Sequence, residues 1–186
     1  PMKAGVALVD VLTAKDAATA VLAALLSRRV TGRGTHVRLN LLSSLQGALA
    51  NQAQAFLGAG VVPARMGNAH PSIVPYQLLD CADVPLAVAC GNDPQFARLA
   101  RELGAPGLAQ DERFATNSAR VQHREELIPL LEKYLAAAPA AHWQERLTRA
   151  GVPAGKVAGI DEGIAYAESL GLDPVLVVPV RVRGTG

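Results

Sequence analysis

The sequence predicts a mixed protein of the α/β or α+β class. Stretches with helical apolar spacing recur along the chain, short apolar runs with strand character lie between them, and glycine or proline separates many of these segments. Such a mixture of helices and scattered strands is typical of both classes. The 186 residues are half apolar but only 4% aromatic. The chain is therefore long enough to bury a core, which Ala, Val and Leu must build.

The first third of the chain predicts alternating strands and helices. Apolar runs of four to six residues indicate the strands, and longer stretches with helical periodicity indicate the helices. The predicted elements are a buried strand at Val6–Val9 ending at Asp10, a helix over Ala14–Arg29 capped by Thr13 with Asp16, a turn at Thr31–Gly34, a half-buried strand at Thr35–Asn40, and a helix over Leu41–Leu57.

The remaining two thirds predict a hairpin and several capped helices. Strands are expected at Tyr76–Leu79, Pro85–Ala89 and Gly155–Val157, with a further strand pattern at Val175–Val182. Helices are expected over Asp93–Leu103, from Thr116 or Asn117 to about Ala137, over Pro139–Ala150, and from Asp161 to about Ser169.

Composition and charge argue against several functional classes. A net charge of +2 gives no reason to expect nucleic acid or an anionic membrane as a partner. The best apolar run, Ala17–Leu26, is too short to cross a bilayer, which requires about 20 residues. Cys81 and Cys90 lack metal-site spacing, which favours two buried free thiols in a reducing cytoplasm.

The loop near Pro63 is the strongest candidate for a domain boundary. We expect a segment of a larger domain at residues 1–62, a small domain at 63–160, and a return segment at 161–186. Strand patterns lie directly against both ends of the chain, so both ends resemble the interior of a longer protein.

Asp10 is the first candidate catalytic residue. It is predicted to lie at the carboxyl end of an apolar strand, where ligand sites of open α/β sheets gather. A carboxylate beside Val9, Val11 and Leu12 would be partly desolvated and hence more reactive. An ion-paired or helix-capping aspartate is the alternative, and the bare sequence favours it.

The most distinctive segment of the sequence is Arg65–Gln77. It contains the backbone-permissive Gly67 and Asn68, an imidazole at His70, and two prolines, which together predict a shaped loop. The backbone N–H groups of Gly67 and Asn68 could stabilise an oxyanion or an anhydride, and His70 could act as an acid or base. A plain turn and a structural histidine are the alternatives, and the residue types alone favour them.

Other polar positions have simpler interpretations. Asp93 before Pro94 is typical of a helix cap followed by proline at the first helical position. Capping and surface pairing account for Arg113, Asn117 and Arg120. The chain contains no dinucleotide, phosphate-loop or nucleophile-elbow signature. No metal site is predicted from its four histidines, which are His36, His70, His123 and His142.

Several motifs occur in order along nearly the whole chain. They are Asp10 with Thr13, Leu22–Arg29, Thr31–Gly34, Val37–Leu42, Gly67–Tyr76, Gly91–Phe96, Asp111–Asn117 and Ala150–Gly155. In this order they resemble the motifs of the family III CoA-transferases, also called the CaiB–BaiF group. The chain departs from the family pattern at Ala14, which replaces the glycine that usually follows the threonine of the first motif, and at Val84, which replaces a usual hairpin glycine. The second departure affects the expected turn and not the expected function.

The resemblance implies a fold and a mechanism. Members of the family are interlaced homodimers with a nucleotide-binding-like large domain and a small α/β domain. Asp10 corresponds to their nucleophile, which passes through a mixed anhydride to an aspartyl-CoA thioester before a carboxylic acid collects the CoA. The loop with Gly67, Asn68 and His70 would cover these intermediates. Coenzyme A is then a substrate and product, alongside acyl-CoA and carboxylic acid, and no permanently bound cofactor is expected.

The resemblance also implies that an N-terminal half, in cis or as a separate chain, is missing here, so the chain alone should not turn over. Two alternatives remain open. The first is an isomerase like the α-methylacyl-CoA racemases, in which Asp10 and Asp93 would provide carboxylates. The second is a folded remnant that dimerises or binds acyl-CoA weakly. The amino-acid sequence of the loop favours the transferase. Nothing in the chain selects a particular carboxylic acid as substrate.

Overall fold

The computed structural model describes residues 5–175, which divide into two compact units, one ending at Arg65 and the other beginning at Met66. The described part of the first unit contains three α-helices. They are α1 at Leu8–Thr31, α2 at Leu41–Ala48 and α3 at Ala50–Ala59.

The start of α1 overturns the predicted strand at Val6–Val9. The helix begins at Leu8, so Asp10 lies in its first turn, not at the end of a strand. Thr13 is not a cap either, because its hydroxyl donates to the carbonyl oxygen of Val9 one turn earlier, at 2.8 Å. A four-residue apolar run does not separate strand from helix by its periodicity, and the alanine-rich sequence that follows favours helix.

Two further predictions for the first unit were wrong. No strand forms at Thr35–Asn40 among the described residues of this unit; instead the side chain of Asn40 caps α2 by accepting from the N–H of Ser43 at 2.9 Å. The single helix predicted from Leu41 breaks at Leu49, and Ala50 has a positive φ of 43°. A strand needs a neighbour for its backbone hydrogen bonds, and the described part of this unit offers none.

The first unit buries very little of itself. Among its described residues Ser44 alone is buried, and its hydroxyl donates to the carboxylate of Asp16 at 2.6 Å. Large apolar side chains lie exposed along all three helices, for example Leu26 at 64% and Leu57 at 77%. Exposed apolar surface of this extent usually marks contact with other protein.

The second unit contains a three-stranded antiparallel sheet and five α-helices among its described residues. The strands lie in the order β1 at Tyr76–Leu79, β2 at Leu86–Ala89 and β3 at Ala154–Lys156. The helices are α4 at Asp93–Glu102, α5 at Asn117–Gln122, α6 at Arg124–Leu135, α7 at Ala140–Arg149 and α8 at Ile160–Ser169. The hairpin and most of the predicted helices of this unit are therefore confirmed as elements, although some of their ends differ. The fold is a helix-rich mixture of α and β.

The core of the second unit lies between one face of this sheet and the helices. It is built mainly from aliphatic residues with a few aromatic side chains, and each buried residue of this core is less than a tenth exposed. Its members include Leu79, Leu86, Val88, Phe96, Leu99, Phe114, Leu127, Leu131, Leu135, Trp143 and Leu147. Successive residues of a strand point to opposite faces, so the other face of the sheet is left open.

Several helix ends differ from the prediction in detail. Thr116 caps a helix as expected, but that helix ends at Gln122, and a break at His123 separates it from α6. Asn92, not Asp93, caps α4, and Gly159, not Asp161, precedes α8. The strand pattern from Val175 onward lies almost entirely outside the described residues.

Candidate active site

Asp10 lies in the first turn of α1 in the first unit, and its side chain is exposed. A carboxylate in the first helical turn interacts favourably with the positive end of the helix dipole. Of its apolar neighbours, Val11 is exposed, whereas Val9 and Leu12 are half-buried.

A tight turn at Met66–Ala69 opens the distinctive loop in the second unit. The N–H of Ala69 donates to the carbonyl oxygen of Met66 at 3.1 Å, and Gly67 has a φ of +61°. That conformation strains a residue with a Cβ atom, which confirms the predicted need for a permissive residue. Within the described residues, no protein acceptor is bonded to the backbone N–H groups of Gly67 and Asn68.

The side chain of Asn68 joins this turn to the sheet. Its amide oxygen accepts from the N–H of Leu78 in β1 at 2.8 Å. The backbone of the turn is thereby fixed against the first strand.

His70 is held through both its backbone and its ring. Its N–H donates to the carbonyl oxygen of Tyr76 at 2.9 Å, and its ring stacks on that of Tyr76 with centroids 5.2 Å apart. Nδ1 accepts from the N–H of Ser72 at 3.2 Å. Because Nδ1 is the acceptor in this contact, the ring N–H lies on Nε2 and is left as a donor.

Two side chains from the helices hold the middle of the loop. The amide of Asn117 donates to the carbonyl oxygen of Ser72 at 2.8 Å and accepts from the N–H of Val74 at 3.1 Å. The guanidinium of Arg124 donates to the carbonyl oxygen of His70 at 2.7 Å. Sequence reasoning assigned Asn117 to capping, although the spacing of three and then four residues to Arg120 and Arg124 is a signal of a shared helical face.

Arg120 lies completely buried at the base of the loop, contrary to the prediction of surface pairing. It donates to the carbonyl oxygens of Val74 at 2.6 Å and Phe114 at 2.9 Å. Its third contact is an ion pair with Asp93 at 2.8 Å, whose carboxylate is about half exposed. Asp93, a candidate acid or base, therefore neutralises a buried cation.

A shallow groove of about 400 Å³ lies beside the loop on the open face of the sheet. Asn68 and Tyr76 line it at the loop end, and Ala87, Ala89 and Gly155 form its floor. These small side chains leave room for a ligand of modest width beside Asn68 and Tyr76.

The two thiols are poor nucleophiles. Burial raises the pKa of Cys90 to about 12, although Arg120 and Arg98 oppose the shift. Burial also raises the pKa of Cys81 to about 11, with Asp83 and Asp80 adding to the effect. Both cysteines are free.

No cluster of potential metal ligands occurs within residues 5–175. No helix in that same range is long and apolar enough to cross a membrane.

The sequence model of CoA-transferase family III matches residues 1–171. The chain therefore belongs to this family, as its motifs predicted.

Curated relatives of the chain bear the names of CoA-transferases. It is 41% identical over 170 residues to a succinate–glutarate CoA-transferase of Agrobacterium fabrum, covering 89% of this chain and 41% of that protein. It is 36% identical over 142 residues to an acetyl-CoA:oxalate CoA-transferase of Acetobacter aceti, covering 76% and 36%. It is 35% identical over 157 residues to the human succinyl-CoA:glutarate CoA-transferase, covering 84% and 36%. The chain thus spans about two fifths of the length of these relatives.

Solved structures agree with this assignment. A CaiB/BaiF family protein from Brucella suis matches with a TM-score of 0.71 and 44% identity, over 89% of this chain and 44% of that one. A hypothetical protein from Mycobacterium tuberculosis matches with a TM-score of 0.84 and 25% identity, over all of this chain and 50% of the other.

Proposed function

We propose that the protein of which this chain forms a part transfers coenzyme A from an acyl-CoA to a carboxylic acid. The family match over residues 1–171 is the observation that carries the proposal. The relatives' names pair an acyl-CoA with glutarate, oxalate, citramalate or mesaconate. These acceptors are dicarboxylic acids, so we place the acceptor in that class.

Asp10 is the proposed nucleophile. Its carboxylate attacks the thioester carbonyl of the donor, the CoA thiolate leaves, and an anhydride joins Asp10 to the acyl group. The thiolate then attacks the Asp10 carbonyl, which releases the donor acid and forms an aspartyl-CoA thioester. The acceptor carboxylate attacks that thioester, and the freed thiolate attacks the acceptor side of the new anhydride. This last step forms the product thioester and restores Asp10.

The loop of the second unit is proposed to stabilise and shield these intermediates. The backbone N–H groups of Gly67 and Asn68 and the Nε2–H of His70 are donors of the kind that stabilise an oxyanion. The groove that Asn68 lines has a floor of small side chains suited to an acyl chain. Excluding water from a bound thioester or anhydride prevents its hydrolysis.

The rest of the assembly is also a proposal. The exposed apolar surface of the first unit supports a complete protein in which further chain covers α1, α2 and α3. We propose that this unit contributes to a nucleotide-binding-like large domain, with the second unit as the small domain of an interlaced homodimer. No permanently bound cofactor is needed for the proposed steps, because CoA enters and leaves as substrate.

The contacts of Asp93 favour transfer over a racemase-like proton exchange. One of its carboxylate oxygens accepts from Arg120, a buried cation whose other two nitrogens each donate to a backbone carbonyl oxygen. Removing the charge of Asp93 would leave that cation without its counter-ion, which gives Asp93 a structural reason to be present.

Trapping the covalent intermediate tests the proposal. The complete protein is incubated with an acyl-CoA panel and analysed by intact mass and peptide mapping, together with Asp10→Asn and Asp16→Asn. Asp16 lies on the same helix and accepts from Ser44, a role that an asparagine oxygen retains, so it is the matched control. A CoA-sized, hydroxylamine-sensitive adduct that is lost in Asp10→Asn alone supports the mechanism.

Other outcomes separate the alternatives. No adduct, with exchange of the substrate α-proton into deuterated solvent, indicates the racemase-like reaction. No adduct and no exchange indicates a binding remnant. An adduct that still forms in Asp10→Asn would show that the nucleophile is another residue.

A further inference from the structure

The middle of the loop is held by side chains from the helices α5 and α6, not by a strand. Four backbone groups between His70 and Val74 form hydrogen bonds of 3.1 Å or less with helical side chains. They are the carbonyl oxygens of His70, Ser72 and Val74 and the N–H of Val74, and their partners are Asn117, Arg120 and Arg124. These bonds join residues 43 to 54 positions apart in the chain.

The sequence of the loop explains why side chains are needed. Pro71 and Pro75 have no N–H, so this segment cannot donate a regular ladder of backbone bonds to a neighbouring strand. Asn117 and Arg124 supply the missing partners, and Arg124 also reaches the side-chain oxygen of Gln77 at 3.5 Å.

The anchoring controls the direction of the His70 ring. Arg124 fixes the carbonyl oxygen of His70, and Asn117 fixes the carbonyl oxygen of Ser72, whose N–H is bonded to Nδ1 of the same imidazole. A change at either helical residue therefore displaces the imidazole and its free Nε2–H without touching the ring itself.

We propose that Asn117 and Arg124 are positioning residues that hold the His70 loop in its productive shape. They act through the backbone of the loop, not by touching the substrate. The inference rests on the proposed function, because that function gives the loop its role in shielding a water-sensitive intermediate. When the anchor is lost, more of the bound CoA thioester is hydrolysed and less is transferred.

The test compares Arg124→Met, Arg124→Lys, Asn117→Ala and Asn117→Asp with wild type in the complete protein. Arg149→Met is the matched control, since Arg149 is an exposed arginine paired with Glu145 and remote in sequence from the loop. Lysine at 124 keeps one donor for the carbonyl oxygen of His70, and aspartate at 117 keeps the acceptor for the N–H of Val74.

Two readouts are required. Hydrogen exchange of peptides covering residues 69–78 reports the order of the loop, with peptides from Leu127–Leu135 as the internal reference for the core. The ratio of acyl-CoA hydrolysis to CoA transfer reports its function, and a purely structural defect that lowers the amount of folded enzyme leaves that ratio unchanged. We expect Arg124→Met to accelerate loop exchange about tenfold over the core and to raise the ratio by a similar factor. Arg124→Lys should restore part of both, and Arg149→Met should change neither.

Each other result has a defined meaning. Unchanged loop exchange in Arg124→Met and Asn117→Ala overturns the anchoring. Faster loop exchange with an unchanged ratio overturns the functional role. Absence of any CoA transfer in wild type overturns the proposed function and with it the role in transfer, while the exchange data still decide whether these residues anchor the loop.

Discussion

The buried guanidinium of Arg120 lies 2.6 Å from the carbonyl oxygen of Val74, a residue 46 positions earlier in the chain. The same group contacts Phe114 and Asp93, and its central carbon lies 4.4 Å from the ring centroid of Phe96. One side chain thereby joins the base of the loop to the start of α4 and to the segment before α5. This connection explains how a loop with few backbone partners has a defined shape.

Replacing Arg120 should strongly destabilise the second unit. Arg120→Met leaves the carbonyl oxygens of two buried residues, Val74 and Phe114, without their donor, and each buried acceptor left unpaired costs about 1–3 kcal/mol. It also removes the partner of Asp93, a smaller loss because that carboxylate is about half exposed. The fluorescence of Trp143, the single tryptophan and a core residue of this unit, reports its denaturant unfolding. Arg149→Met removes only an exposed pair and should cost less than about 1 kcal/mol. A similar small cost for Arg120→Met would show that the buried contacts are not important for stability.

Substitution of Gly67 should disturb the loop through its backbone alone. A Cβ atom at this position would meet no other atom within 4 Å, but its φ of +61° is unfavourable for residues other than glycine. Gly67→Ala should therefore cost about 1–2 kcal/mol of loop stability and lower the rate of CoA transfer. Gly107→Ala is the matched control, because that glycine also has open space around it and lies outside the positive-φ region. Equal effects of the two variants on loop exchange and rate would contradict the argument.

A surface network next to α5 and α6 should make the chain sensitive to acid. A hydrogen bond from the Arg113 side chain lowers the pKa of Asp111 below its ordinary 3.8. Hydrogen bonds from His123 and then Arg113 lower the pKa of Glu126 below its ordinary 4.5. A carboxyl group with a depressed folded-state pKa stabilises the fold above its unfolded-state pKa, and this contribution is lost as the pH falls through the lower folded value.

The measurement is unfolding free energy between pH 7 and pH 2 for wild type and Arg113→Ala. The variant should be less stable than wild type at pH 7, and the difference should shrink below about pH 4.5, the ordinary pKa of Glu126. A difference that stays constant down to pH 2 would show that these ion pairs do not contribute to stability.

The shape of the loop could be predicted from the sequence because its cause is local. Gly67, the two prolines and the following apolar run act within a few residues, and the positive φ and the strand at Tyr76–Leu79 are confirmed. The catalytic roles of Asp10, Gly67, Asn68 and His70 stay predictions, because they depend on groups brought together in the complete protein.

The features that sequence reasoning missed depend on distant contacts. An arginine in a polar stretch is usually exposed, and only the folded chain brings the carbonyl oxygens of Val74 and Phe114 to Arg120. The error at Asp10 has a different origin. The four apolar residues before Asp10 suit a strand or a helix equally well. The alanine-rich sequence that continues to Thr31 favours the helix.

The two thiols offer a direct probe of opening in the second unit. Because only the thiolate attacks Ellman's reagent, pKa values of about 11 for Cys81 and about 12 for Cys90 leave about one thiolate in a thousand or fewer at pH 8. Cys90 is also fully buried, so Cys81→Ser should leave a thiol that reacts only when the unit opens. We expect Arg120→Met to speed this reaction markedly and Arg149→Met to leave it unchanged. Rapid labelling of Cys90 in the Cys81→Ser protein at pH 8, without denaturant, would contradict its burial in the core of the second unit.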